Sequence, residues 1–308
     1  MIFGLAKGPI AKGQRLTFAN CHLLIANCDS AICPDLSTER TLSRMKRTLA
    51  AAIIALFCSL PVFAQDWAKQ ALEKSPRHGE WVQLKHDNRT VQAFIVYPQS
   101  KKKAPAVVVI HEIFGLTDWV RSVADQLAAQ GYIAIAPDLL SGAGPNGGGT
   151  SELGGGDNVR KAISALNPDQ VTADLNAAAD YVKKLPSSTG KIAVGGFCWG
   201  GTQTFRFAAN RKDLSGAFVF YGSAPQDVTS ITAPVYGFYA ETDSRIGATL
   251  PATQEAMKQA GKKYDPVTYA GADHGFMRAG EDPNNKNEAN KKARDEAWQR
   301  WLSAMKTM

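Results

Sequence analysis

Apolar residues along the chain fall into two rhythms, and their alternation predicts the fold. "WVQLKH" (Trp81 to His86) and "VQAFIVYP" (Val91 to Pro98) alternate apolar with polar on either side of "DNRT", the pattern of an antiparallel hairpin. "APAVVVIHE" and "YIAIAPD" are instead continuous apolar runs, which predict strands buried on both faces of a mostly parallel sheet. Between them Val120, Val123, Ala124, Leu127 and Ala128 recur at helical spacing, and Gly131 supplies the stop. A second helix opens at Asn167-Pro168, a capping residue followed by proline at the first helical position. Its inner face reads Val171, Leu175, Ala178 and Val182. "KIAVGG", "GAFVFYG", "APVYGFYA" and "YDPVTYA" supply further strands, and a last helix ends in "AWQRWLSAM". Strands alternating with helices over this length predict an α/β fold: a mostly parallel twisted sheet, helices on both faces, and an opening antiparallel hairpin. The glycine-rich "SGAGPNGGGTSELGGGD" follows no phosphate-loop spacing and is expected to be a mobile surface loop.

The front of the chain follows neither rhythm. From Met45 it has basic residues at Lys46 and Arg47, an apolar run from Leu49 to Leu60, and Val62 and Ala64 three residues and one residue before Gln65. That is the form of a secretory signal peptide over residues 45–64, and the run is too short to span a membrane. Phe57 before Cys58 argues against a lipid-modified cysteine. Residues 1–44 then read as a disordered extension or as translated upstream sequence with Met45 as the true start. The expected setting is periplasmic or secreted, with no stable membrane anchor after processing, or cytoplasmic if the chain is unprocessed.

Processing at Gln65 changes the charge and cysteine balance. Seven of the 35 basic and three of the 28 acidic residues lie before it, so the net charge falls from +7 to +3. No basic stripe remains to suggest nucleic acid. Four of the five cysteines also lie before it, and the spacing of Cys21, Cys28 and Cys33 does not suit zinc. Cys198 alone remains, an unpaired thiol in a compartment that normally pairs its cysteines.

Cys198 stands in "VGGFCWGGTQ", directly after one strand and directly before a helix. Gly196-x-Cys198-x-Gly200 is the spacing of a nucleophile elbow with cysteine in place of serine. At that turn, side chains two residues either side would collide, and the following helix N-terminus favours a thiolate. Of the histidines after Gln65, His78 and His86 lie near the other end of the sheet. His274, in "GADHGF", follows a strand at the same carboxyl edge as Cys198. Asp243 follows the strand ending at Ala240 and completes the order nucleophile, acid, histidine; Asp273 and Glu241 are weaker candidates for the acid. His111 reads as packing or backbone support. Phe197 and Trp199 are expected to wall the pocket.

"PAVVVIHEIFGL", "GYIAIAPDLL", "GFCWGG" and "GADHGF", with the spacing between them, resemble the dienelactone hydrolase family (carboxymethylenebutenolidases) from about Trp81 to Leu302. The resemblance implies an α/β-hydrolase fold in a single domain over residues 65–308. It implies a Cys198–His274–Asp243 triad, Glu112 in contact with the resting thiol, and Arg278 as the ligand of a substrate carboxylate. It further implies an oxyanion hole made of the backbone N–H groups of Ile113 and Trp199. The family's second substrate-binding arginine lies in the loop after "PDLL", which the glycine-rich stretch rewrites here, and Arg160 is a candidate counterpart. The chemistry implied is hydrolysis of a small ester or lactone through a thioester, with no cofactor and no metal, in a monomer. The alternative is a redox-sensing or ligand-binding protein that uses Cys198 as an oxidisable thiol.

Overall fold

The computed structural model describes residues 65–307; the expectations for residues 1–44 and 45–64 lie outside them. Helix α1 (Asp66–Glu73) precedes strands β1 (Gly79–His86) and β2 (Arg89–Val96), the antiparallel hairpin expected from the alternation. Next come β3 (Ala104–Ile110), α2 (Asp118–Ala129) and β4 (Ile133–Pro137). Helices α3 (Gly156–Ala165) and α4 (Pro168–Lys184) lead to β5 (Ser188–Phe197), α5 (Trp199–Asn210), β6 (Leu214–Phe220) and β7 (Val235–Ala240). The chain closes with α6 (Ser244–Gly247), α7 (Leu250–Gln259), β8 (Tyr264–Tyr269), α8 (Phe276–Ala279) and α9 (Glu288–Met305).

The eight strands among the described residues form one sheet in the order β1-β2-β4-β3-β5-β6-β7-β8. The β1–β2 and β2–β4 ladders are antiparallel and every other is parallel. Continuous apolar runs fall on the parallel strands because helices cover both sides. Val107 and Val109 join the layer of Trp119, Phe218 and Trp301, whereas Val108 and Ile110 join that of Ile135, Phe205 and Met257. Burying each such side chain contributes about 1.5–3 kcal/mol, so the middle of the sheet is the rigid part of the molecule. The ladders pair Ile110 with Gly196, Phe197 with Phe220, and Ala240 with Tyr269. The ends of β3, β5, β6, β7 and β8 are thereby brought to one carboxyl edge.

Helix α4 answers to a signal in the chain. Asn167 caps α4 as its spacing requires, its side chain accepting from the Asp169 N–H at 2.7 Å. Helix α3, by contrast, starts inside the glycine-rich stretch. That stretch is anchored rather than loose. The buried Asp138 carboxylate at the end of β4 accepts from the Thr150 N–H and the Thr150 hydroxyl, both at 2.7 Å. Thr150 Oγ1 in turn accepts from the Leu116 N–H at 3.0 Å. A buried carboxylate needs such donors, and the loop folds back to supply them.

Candidate active site

Cys198 sits between β5 and α5 with φ 57° and ψ −117°, a backbone conformation that side chains rarely adopt. Such a conformation costs about 1–3 kcal/mol and persists only where the surroundings enforce it. The surroundings here are tight. A Cβ on Gly196 would lie 2.4 Å from the Gly200 carbonyl oxygen, and one on Gly200 would lie 2.3 Å from that of His111. The Cys198 N–H donates to the Phe220 carbonyl at 3.0 Å, and its carbonyl accepts from the Thr202 N–H at 3.2 Å. The thiol is free and half-buried. The Trp199 N–H, in the first turn of α5, has no acceptor within the helix.

His274, on the loop after β8, is hydrogen-bonded through Nδ1 to Asp243 Oδ2. Its other nitrogen is left for Cys198, which acts on the imidazole as a close neighbour. Burial pulls the imidazole pKa down. The interactions with Cys198 and Asp243 outweigh burial and raise it. Asp243 is buried, and its second oxygen accepts from the Ile246 N–H at 3.2 Å. The other two candidate acids are held elsewhere. Asp273 accepts from Thr242, Asn287 and Asn290, and Glu241 from the Gly271 N–H.

Glu112 follows β3 and is 2% exposed. The expectation was a contact with the resting thiol; the hydrogen bond that the structure gives its carboxylate is with Arg278, whose Nε donates to Oε2 at 2.9 Å. A buried carboxylate is stabilised far better by a guanidinium than by a neutral thiol, which accounts for the choice of partner. Burial pushes the Glu112 carboxyl upward; the Arg278 charge and hydrogen bond, and the His274 charge, offset this only in part. Arg278 in this state is therefore a partner of Glu112, with its guanidinium 5.3 Å from the centre of the Phe114 ring.

The remaining expectations divide. Ile113 and Arg160 border one hollow of about 540 Å³, together with Asp157 and Lys161. Arg160 is exposed there and hydrogen-bonded to Asp157. Trp199 is partly buried and stacks on His111, with ring centroids 5.5 Å apart. Phe197 does not wall a pocket. It is fully buried against Trp119, Phe220 and Trp301, because it shares the parity of Ala193 and Gly195, which face Trp301.

Tyr221 was not anticipated. It follows β6 with φ 41°, is fully buried, and packs its ring 5.0 Å from that of His274. Its hydroxyl has no hydrogen-bond partner. Burial first, then the neighbouring Glu112 and Cys198, raise its pKa well above the ordinary value, against Arg278 and the nearby Met277 backbone. The only sequence signal was an aromatic residue before a glycine in "FVFYG", which looks like core.

A sequence profile described as the dienelactone hydrolase family matches residues 91–308. A relative from Methylorubrum extorquens, provisionally named a carboxymethylenebutenolidase, is 31% identical over 78% of this chain and 86% of its own length. One from Escherichia coli K12 under the same name is 31% identical over 58% of this chain and 69% of its own. The crystal structure of a protein from Klebsiella pneumoniae, provisionally named a dienelactone hydrolase, superposes with a TM-score of 0.66 at 25% identity. It covers 75% of this chain and 99% of that one.

Proposed function

Since the chain belongs to the dienelactone hydrolase family, and is a hydrolase of that kind, we propose that it opens a small carboxylate-bearing lactone or ester through a thioester on Cys198. The observation that carries this reading is His274 hydrogen-bonded to the Asp243 carboxylate, with the Cys198 thiol acting on the same imidazole, at the carboxyl ends of parallel strands β5, β7 and β8. In the proposed reaction the thiol gives its proton to His274 and the sulfur attacks the carbonyl carbon. The carbonyl oxygen becomes an oxyanion that accepts from the Ile113 and Trp199 N–H groups. The C–O bond breaks as His274 returns the proton to the departing oxygen, which in a lactone stays tethered to the acyl group. Water, deprotonated by His274, then attacks the thioester, and the sulfur leaves to take its proton back.

Arg278 links recognition to activation in this scheme. A substrate carboxylate competes with Glu112 for the guanidinium. Glu112, already pushed upward by burial, then takes up a proton from solvent, and the loss of its negative charge makes it easier for His274 to deprotonate the thiol. Thiolate would form when a carboxylated substrate arrives, which spares the thiol from oxidation between turnovers. Arg160, beside Ile113, is proposed as a weaker second contact for the substrate anion. The proposed setting is outside the cytoplasm, as a monomer that begins at Gln65.

The test uses exported protein, sequenced from its N-terminus, against paired carboxylated and neutral lactones and activated esters. A start at Gln65, preference for the carboxylated member, and a Cys198 adduct seen by mass spectrometry are expected. Full turnover by folded Cys198→Ala would sink the thioester. A chain that starts at Met1 or Met45 would sink the exported setting.

A further inference from the structure

We infer that His111 is a positioning residue for the oxyanion hole, acting by locking the peptide unit that carries the Ile113 N–H; this rests on the proposed role of that N–H. The ring lies between the two elements that carry the donors. One of its faces stacks on the Trp199 ring at 5.5 Å between centroids and 17° between planes. Its Nδ1 is 2.9 Å from the Glu112 carbonyl oxygen. That oxygen and the Ile113 N–H belong to one planar peptide unit and point in opposite directions. Whatever fixes the oxygen therefore aims the hydrogen.

The oxygen is held twice, by His111 and by the Gly115 N–H at 3.1 Å. The proton position on the ring follows from the partners. Nε2 is 3.3 Å from the Leu139 backbone N–H, which can only donate, so Nε2 bears the lone pair and Nδ1 the hydrogen. The ring is fully buried, and burial lowers its pKa against the opposing charge of Asp138 and the Glu112 carbonyl. It therefore stays neutral, in a single tautomer. Its own backbone has no slack, since a Cβ on Gly200 would lie 2.3 Å from the His111 carbonyl oxygen. A residue that only filled space would need neither nitrogen. Both are used here, and one of them is used on the peptide that matters.

The test compares His111→Phe, which keeps a ring and loses both contacts, with His111→Gln, whose amide has a donor and an acceptor. His111→Phe should lower kcat by roughly 10- to 100-fold, short of the ~10²–10³ seen when a donor is removed outright, with KM changed by less than about twofold. His111→Gln should recover most of the loss. Alkylation of Cys198 by iodoacetamide forms no oxyanion, so its rate should match wild type in both variants. An unchanged kcat in folded His111→Phe, or alkylation that falls in step with kcat, would overturn the inference. Should neither variant fold, the imidazole nitrogen spectrum of the wild-type protein decides. A neutral Nδ1–H tautomer supports the inference, and an Nε2–H or doubly protonated ring refutes it. Persistent turnover in Cys198→Ala would instead mark failure of the underlying mechanism.

Discussion

Replacing Arg278 by methionine keeps a long unbranched side chain and removes the charge that Glu112 faces. Glu112 is 2% exposed, and burial already raises its pKa, with Arg278 first among the influences opposing the rise. Without that guanidinium the carboxylate must remain ionised and buried or take up a proton. Removing one member of a buried pair typically costs about 3–5 kcal/mol. The Arg278 side chain is 29% exposed, so the lower end, about 3 kcal/mol, is the figure to expect. At about 2–4 °C per kcal/mol for a domain of this size, the melting temperature should drop by roughly 6–12 °C at neutral pH. The pH dependence has a definite sign. A glutamate whose folded pKa is raised gives stability that is full below its ordinary pKa and lost as pH rises through the folded value. Arg278→Met raises that folded value further. The deficit against wild type should therefore be small in mildly acidic buffer and grow toward alkaline pH. Thermal unfolding followed by circular dichroism at both ends of that range measures it. Arg278→Met combined with Glu112→Gln should recover most of the loss. A deficit independent of pH, or a double variant as unstable as the single one, would refute the view that the two residues compensate each other.

Asp243→Asn should lower the His274 pKa, read by NMR titration of the imidazole, because a raising hydrogen bond and charge are both removed. Turnover should fall steeply with it, up to the ~10⁴-fold known for the same change in serine protease triads; an unmoved imidazole titration would count against Asp243 as the orienting acid. Tyr221→Phe removes a buried hydroxyl that has no partner. It should leave the protein as stable or add about 1 kcal/mol, seen as a higher melting temperature, whereas a lower one would mean that the hydroxyl is bonded.

What could be read from the sequence depended on how local each signal was. The strands at Ala104–Ile110 and Ile133–Pro137 were legible because burial on both faces leaves no polar residue to interrupt them. Helix Asp66–Glu73 was not, since it packs mainly through Ala68 and has hardly two turns of pattern. Cys198, Asp243 and His274 could be brought together in advance because each lies just beyond the carboxyl end of a strand, and parallel strands end on one side. The partner of Glu112 could not. It depends on where the long Arg278 side chain ends, and neither residue's neighbours in sequence record that. Phe197 was misread for a different reason. The elbow drew attention to residues beside the cysteine, while the strand's own alternation already assigned Phe197 to the Trp301 layer.

The anchoring of Thr150 by Asp138 has an evolutionary consequence. A segment pinned near its far end to the rigid sheet is in effect a closed ring of chain. The exposed stretch between Ser141 and Gly149 can be lengthened or exchanged while both attachment points stay fixed. Each doubling of such a ring adds only about 0.6 kcal/mol of closure entropy. Because Thr150 also holds the Leu116 N–H, three residues beyond Ile113, the inner shape of the site is insulated from that traffic. Insertions can accumulate beside the site, and selection can sample new surfaces there, without disturbing the atoms on which chemistry depends.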